Sequence, residues 1–222
     1  KFISDFFIFK KDEKFILEIH SFFYEKLIKK LCLYKLRSRI SINEIKNFNS
    51  YSIFGNLIRD KDSIIFYADP RNNKIGNKLI HKSKNPKILK KFKKIDEKKY
   101  HEILIKNTVP LSHYDLKENK SLLLENNFEN LNSISWNKGC YIGQENTSRI
   151  KLKNKLSKRL LPIELINGEL IEGNLIYFKG IEIGKVLINS KYPFALVKYL
   201  DNNYNQENEF KSGNAILKIK KP

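Results

Sequence analysis

The sequence predicts an α+β fold followed by a small C-terminal β-barrel, and two features carry that expectation. Over the first third, apolar runs with the two-residue period of strands surround one run at helical spacing. Beyond Leu156 the apolar runs shorten and are cut by Gly168, Gly173 and Gly180, the punctuation of a small barrel. The boundary between regions 1–152 and 153–222 falls in the lysine-rich stretch near 151–155, and the first region has a natural point of subdivision near 83–110. At 222 residues, 41% hydrophobic and 12% aromatic, the chain can bury one large core or two small ones.

Residues 2–9 alternate apolar and polar, residues 10–13 form a polar turn and residues 14–20 are apolar again, which makes a hairpin the first element. Ser21 is placed to cap a helix over 22–33, with Phe22, Phe23, Leu27, Ile28, Leu31 and Cys32 on one stripe and Lys26, Lys29 and Lys30 opposite. Cys32 therefore reads as a small core residue. Strands are expected at 37–45, 50–57 and 63–67, the last ending at Asp69-Pro70-Arg71, with an edge strand at 76–82. Pro86, at a first helical position, opens a short lysine-rich helix toward Phe92, and a second helix spans 100–106 before Pro110. Residues 111–137 are irregular and polar, with regular structure expected only at 121–125. Barrel strands are expected at 159–165, 175–178, 181–188, 194–199 and 215–219, with a flexible loop at 201–208.

The formal charge of +19 invites a nucleic-acid reading. Arginine occurs only at 37, 39, 59, 71, 149 and 159, however, while Lys, Ile and Asn abound as in AT-biased coding. The densest stretch, 82–99, has few aromatics between its lysines, so it reads first as a solvated face and second as a surface for an acidic partner. No run approaches the ~18 apolar residues of a membrane-spanning helix, and no membrane role is expected. The chain opens without Met or a signal-peptide cleavage pattern, as if entered mid-fold.

Cys32 and Cys140 are the only cysteines, which makes no disulfide framework and points to a reducing cytoplasm. Two thiols cannot cage an iron–sulfur cluster, which usually takes four. Cys140 follows Lys138, a cation that favours thiolate, and Gly139, which has no side chain to block approach. Gly143 with Gln144 and Glu145 resembles a turn opening a helix to about Arg149, whose dipole would further favour an anionic sulfur. On spacing alone the alternative stays open, a buried turn cysteine whose glycines serve only backbone geometry.

The run Ile134-Ser135-Trp136-Asn137-Lys138-Gly139-Cys140-Tyr141-Ile142-Gly143-Gln144-Glu145 closely resembles the signature of the YgfZ family, including its mitochondrial iron–sulfur assembly members. Ser148-Arg149, Lys158-Arg159-Leu160-Leu161-Pro162, Tyr34-Lys35-Leu36-Arg37-Ser38, Asp69-Pro70-Arg71 and Gly180-Ile181-Glu182-Ile183-Gly184 extend the likeness over nearly the whole chain. The resemblance implies aminomethyltransferase-like, folate-binding domains forming a ring with the barrel. It also implies tetrahydrofolate as cofactor, in a cavity bordered by Asp5, Arg71, Glu125, Trp136 and Tyr141, and Cys140 as the essential thiol. Lys138, Gly139, Tyr141, Gly143, Gln144, Glu145 and Arg149 would shape the surroundings of that thiol.

Three departures stand beside the likeness. The family carries about fifty further residues before the opening strand, so part of the first domain is expected to be missing. It has an Arg and a Gly where this chain has Leu104 and Thr108, and a His-Arg-Gly pattern where this chain has Leu152-Lys153-Asn154.

The implied function is that of a maturation factor rather than an enzyme. Cys140 would supply one ligand to a transient cluster shared with an A-type iron–sulfur scaffold protein or a monothiol glutaredoxin, on behalf of client iron–sulfur enzymes such as tRNA-modifying ones. The location would be cytoplasmic in a bacterium and the mitochondrial matrix in a eukaryote. The competing readings are folate-dependent aminomethyl transfer, with Asp5, Asp69 or Glu125 as the carboxylate, and a basic module with weak tRNA contact. His20, His81, His101 and His113 share no spacing and read as structural or exposed.

Overall fold

A computed structural model describes residues 2–55, 63–141, 143–152, 158–198 and 207–220. The expected hairpin forms from β1 (Phe6–Lys11) and β2 (Lys14–Ile19), which pair from Phe6 with Ile19 to Lys11 with Lys14. Helix α1 (Ser21–Lys35) follows, but its cap is His20 rather than Ser21: the Phe22 N–H donates to His20 Nδ1 at 3.2 Å. Cys32 is exposed, against its expected place in the core. Phe23 is the buried residue of α1, and at about 100° per residue Cys32 lies half a turn around the helix from it. The apolar stripe is thus wider than the face that packs.

Residues 37–45 form no strand, since alternation yields one only where a sheet edge is available for pairing. β3 (Asn49–Ile53), β4 (Ser63–Ala68) and β5 (Asn77–His81) make an antiparallel sheet in the order β3-β5-β4. The expected strand at 50–57 runs into residues outside the described ones. β5, expected at an edge, is the central strand, and its Asn77, Leu79 and His81 point to the buried side. One face of the hairpin lies on this sheet. The rings of Phe7 and Phe9 pack on Tyr67 at 5.9 and 4.3 Å, the Tyr67 hydroxyl donates to Glu18 at 2.8 Å, and Glu18 pairs with Lys78 at 3.2 Å.

Instead of an α-helix after Pro86, a 3₁₀ turn spans Lys87–Lys91 with Pro86 just outside it. Helix α2 (Glu97–Lys106) is capped by Asp96, whose carboxylate accepts the Lys99 N–H at 2.7 Å. At its end, Thr108 N–H donates to Ile105 at 2.9 Å and Val109 N–H to Leu104 at 3.0 Å, with Leu104 and Val109 in one apolar cluster. This is the Schellman geometry, which needs a left-handed residue just beyond the helix end, and Thr108 fills it at φ 54°. A β-branched side chain is strained there. A four-residue helix α3 (Ser112–Asp115), with no signal in the sequence, follows, and the expected regular piece at 121–125 is a series of turns.

The barrel is closed and six-stranded: β6 (Lys158–Asn167), β7 (Leu175–Phe178), β8 (Ile181–Ile188), β9 (Phe194–Lys198), β10 (Phe210–Ser212) and β11 (Ala215–Ile219), in the order β10-β11-β6-β9-β8-β7. The five expected strands are present. The two-residue turn Lys179-Gly180 joins β7 to β8 with φ of 49° and 80°, the primed hairpin geometry that makes Gly180 necessary. The short β10 escaped the pattern because three residues, Phe-Lys-Ser, carry no visible period. Residues 153–157, at the expected boundary, and 201–206, most of the expected loop, lie outside the described residues.

The barrel is fastened to the α+β region by Phe2, Phe23, Leu116 and Phe128 packing on Leu160 and Phe194. Beside this cluster, the fully buried Asp115 carboxyl accepts the Leu111 N–H at 2.6 Å and faces Ser190 Oγ at 3.5 Å, bridging α3 to the segment before β9. Burial pushes this carboxyl up from 3.8 to about 7. Its folded pKa is raised, so the native state holds a proton that the unfolded state has lost between those values, and stability falls as pH rises from about 4 to 7. Asp115→Asn, measured by denaturant unfolding across pH, flattens that slope and gains on the order of 2 kcal/mol at pH 8. Thr108→Gly relieves the left-handed strain and raises stability by about 1 kcal/mol, read as a higher melting temperature.

Candidate functional site

The segment before the Cys140 loop is built from turns closed by local backbone bonds, with asparagines at left-handed positions and bracing other segments through their side chains. Asn127 and Asn132 take left-handed φ of 65° and 54°, Asn132 Nδ2 donates to Pro70 O at 2.7 Å, and the Ser133 N–H donates to Phe128 O at 2.9 Å. Leu131 is buried against Ile75, Leu104, Val109 and Leu111. Trp136 Nε1 then donates to Glu129 Oε1 at 2.9 Å, fixing the entrance to the loop.

The exit is helix α4 (Gln144–Leu152), the helix expected from Gly143 onward. Its Lys151 also reaches Glu129 and places its ammonium 5.4 Å from the centre of the Trp136 ring. One carboxylate thus ties the entrance of the loop to the last turn of α4. Between them, a turn is closed by the Gln144 N–H on Tyr141 O at 3.1 Å, and Gln144 Oε1 accepts the Tyr141 N–H at 3.1 Å. Gly143 stands in that turn at φ 88°, a conformation that disfavours any side chain although the space around it is open.

Cys140 is exposed at this loop. Gly139 beside it has no left-handed backbone, and a Cβ built on it would meet nothing within 4 Å, so neither backbone geometry nor packing in this fold requires a glycine there. The Lys138 ammonium lies over the Tyr141 ring, 4.4 Å from its centre. Glu145 and Arg149 are exposed on α4.

The residues expected to border a folate cavity have separate surroundings. Arg71 is locked in a two-pronged pair with Asp69, at 3.0 and 2.8 Å, over the Phe7 ring, and this carboxylate raises its already high pKa against the opposing effect of burial. Glu125 is half-buried beside the barrel; burial raises its pKa, while Lys158 and Lys185 oppose the rise. Asp5 lies within electrostatic reach of His113. Trp136 and Tyr141 belong to the Cys140 loop. A cleft of about 290 Å³ lined by Phe2, Phe23, Lys26, Ser112, His113 and Leu116, among others, contains none of the five.

Although the histidines share no sequence spacing, His20 and His113 stack at 4.0 Å, and burial lowers the His113 pKa first, with His20 and His101 adding to the effect. Among the described residues, no group of three or more His, Cys, Asp or Glu is placed to hold a metal ion. Glu129 and Lys151, which shape the loop, had no signal in the sequence: Glu129 precedes Trp136 by seven residues in a stretch of turns, where no period links them.

No protein-family profile matches the chain. Curated proteins do. The chain is 31% identical over 167 residues to the iron-sulfur cluster assembly factor IBA57 homolog, mitochondrial, of Dictyostelium discoideum, covering 68% of this chain and 41% of that protein. Its identity to the human iron-sulfur cluster assembly factor IBA57, mitochondrial, is 28% over 163 residues, covering 69% and 46%. The Saccharomyces cerevisiae protein of that name is 50% identical over 52 residues, covering 23% and 10%. The homologues of this chain are IBA57 iron–sulfur cluster assembly factors. The chain spans less than half the length of the curated relatives it matches. These are YgfZ-related proteins, as the resemblance of residues 134–145 implies, and their names are mitochondrial, which agrees with the eukaryotic alternative for location and lends nothing to a bacterial cytoplasm.

Removing the shared carboxylate should loosen the loop without touching Cys140. Glu129→Ala is expected to cost about 1–2 kcal/mol. It should also shift the emission of Trp136, the sole tryptophan, to longer wavelength with faster iodide quenching. Unchanged emission would show that Glu129 does not hold the loop.

Proposed function

We propose that this chain acts in iron–sulfur cluster assembly by presenting the Cys140 thiolate as one ligand to a cluster carried by a partner protein. The observation that carries the reading is an exposed sulfur on a loop whose entrance Glu129 ties to the far end of the following helix, next to a glycine that neither backbone geometry nor packing requires. A side chain at Gly139 would crowd the approach of a partner's cluster to Sγ. Cys32 sits on α1, in another element, so the remaining ligands must come from the partner. The names of the homologues support the same class of work.

A partner of the A-type scaffold or monothiol glutaredoxin class supplies thiolates of the soft kind that iron–sulfur clusters take. The clients would be iron–sulfur enzymes, tRNA-modifying ones among them, and the compartment the mitochondrial matrix. An aminomethyltransferase-like ring around tetrahydrofolate is the arrangement the family likeness implies. The five residues assigned to that ligand do not share one set of neighbours here. For aminomethyl transfer, Arg71 removes Asp69 from the candidate carboxylates by holding it in an ion pair.

Anaerobic mixing with a cluster-loaded A-type scaffold tests the reading. Visible absorption and circular dichroism should change on mixing with the wild-type chain and with Cys32→Ser, but not with Cys140→Ser, whose Trp136 emission should stay native. The same spectral change in Cys140→Ser would sink the proposal.

A further inference from the structure

We propose that the lysine ribbon at residues 82–94 is a docking surface for an acidic protein segment rich in Asp and Glu. The ribbon carries Lys82, Lys84, Lys87, Lys90, Lys91, Lys93 and Lys94 with no acidic residue among them, and all seven are exposed. It is firmly held. The Tyr51 hydroxyl shares its one proton between the Ser83 and Lys84 carbonyls, 3.0 and 2.8 Å away, and the Ser83 N–H donates to His81 Nδ1 at 2.8 Å. Ile88, Leu89 and Phe92 pack with Ile53 and Leu79 on the β3-β5-β4 sheet. The apolar positions face inward and the ammonium groups face out.

Elsewhere the fold neutralises some of its lysines, although single exposed ones such as Lys10, Lys14, Lys29 and Lys120 also have no carboxylate within ion-pair distance among the described residues. Lys26 pairs with Glu118, Lys117 with Glu172, Lys151 with Glu129, Lys218 with Glu207 and Lys220 with Glu164. Among the described residues, none of the seven ribbon lysines has a carboxylate within ion-pair distance. Seven like charges held on a pinned backbone repel one another and sum to a local positive potential. A partner bearing carboxylates relieves that repulsion, and the ordered backbone reduces the entropy lost on docking.

The same ribbon is poorly equipped for nucleic acid. Phe92 and Tyr51 are half-buried in the sheet cluster, so no aromatic platform is offered for stacking bases. Its helical piece is the five-residue 3₁₀ turn Lys87–Lys91, too short to lie along a groove, and the ribbon contains no arginine to fork onto phosphate or guanine. Ammonium groups match carboxylates by charge alone. The ribbon belongs to the three-stranded sheet rather than to the Cys140 loop, so the surface stands independently of the role proposed for that sulfur.

The test is the anisotropy of a labelled poly-glutamate peptide titrated with the full chain at low and moderate salt. The quadruple variant Lys87→Glu, Lys90→Glu, Lys91→Glu, Lys94→Glu should weaken binding about tenfold or more and flatten its salt dependence. A control with the same net charge, Lys10→Glu, Lys14→Glu, Lys29→Glu, Lys120→Glu, should weaken it far less, and Cys140→Ser should bind like wild type. The Lys→Gln version of the ribbon variant gives the same reading if the Glu version fails to fold. Equal weakening by ribbon and control variants would reduce the effect to overall charge and overturn the proposal. Tighter binding of tRNA than of peptide, lost in the ribbon variant, would overturn it in favour of a nucleic-acid surface.

Discussion

The backbone of Leu160 is the point on which the two halves of the molecule depend. Its N–H donates to Glu125 O at 2.8 Å and its carbonyl accepts from Asn127 Nδ2 at 3.0 Å, while its side chain is fully buried in the cluster shared with Phe2, Phe23, Phe128 and Phe194. One residue of β6 therefore satisfies the irregular segment before the Cys140 loop and fills the core between that segment and the barrel. Segments without helix or strand must find partners for their buried peptide groups elsewhere. Here local turn bonds such as Phe128 N–H to Leu123 O and Leu131 N–H to Asn127 O satisfy most of them, and Leu160 of the first barrel strand takes up Glu125 O and the Asn127 side chain, so residues 121–133 can be ordered without regular structure. That order is what allows Glu129 to stand where Trp136 and Lys151 can both reach it.

The barrel was legible because its short strands each contribute apolar residues to one small closed core and are separated by turns at Gly168, Gly173 and Gly180, which gives apolar runs with clear punctuation. The first region was less legible for reasons that can be named. The period of α1 marked a broad apolar stripe, but burial selected only the side of Phe23, which left Cys32 outside. The alternation at 37–45 had no partner strand, a condition set by tertiary contacts and invisible to a local pattern. Strand order was beyond reach for the same cause: β5 looks like an edge from its flanks and is central because both neighbours pair with it. Thr108 had a signal, the glycine expected there from the family likeness, and the left-handed backbone explains the glycine.

At the candidate site, the turn at Gly143 and the helix after it were legible and the scaffold was not. The residues 138–145 identify the loop because few positions combine a thiol, two glycines and a helix start. The abundance of asparagine reads in the sequence as compositional drift, yet Asn119, Asn127 and Asn132 all hold left-handed turns, and two of them donate side-chain hydrogen bonds that brace the loop's base. Asparagine tolerates that conformation better than other residues with a Cβ, so drift supplied residues suited to a turn-built segment. Nothing in their spacing reveals it, because each turn is fixed by a contact from a distant part of the chain.

The restraints around Cys140 fall on its flanks and leave its sulfur free, and this division bears on how a single thiolate could serve a cluster in transit. A resident cluster with four protein thiolates is held from all sides and leaves slowly. One exposed thiolate on a positioned loop adds a ligand without enclosing the cargo, so release requires breaking a single protein bond. Fixing the loop through Glu129 lowers the ordering cost of meeting the partner, while the open surroundings of Gly139 keep the approach unobstructed. A loosely held loop would raise the cost of docking, and a buried sulfur would prevent it. Under the role proposed for Cys140, braced flanks and an exposed sulfur favour transfer over storage.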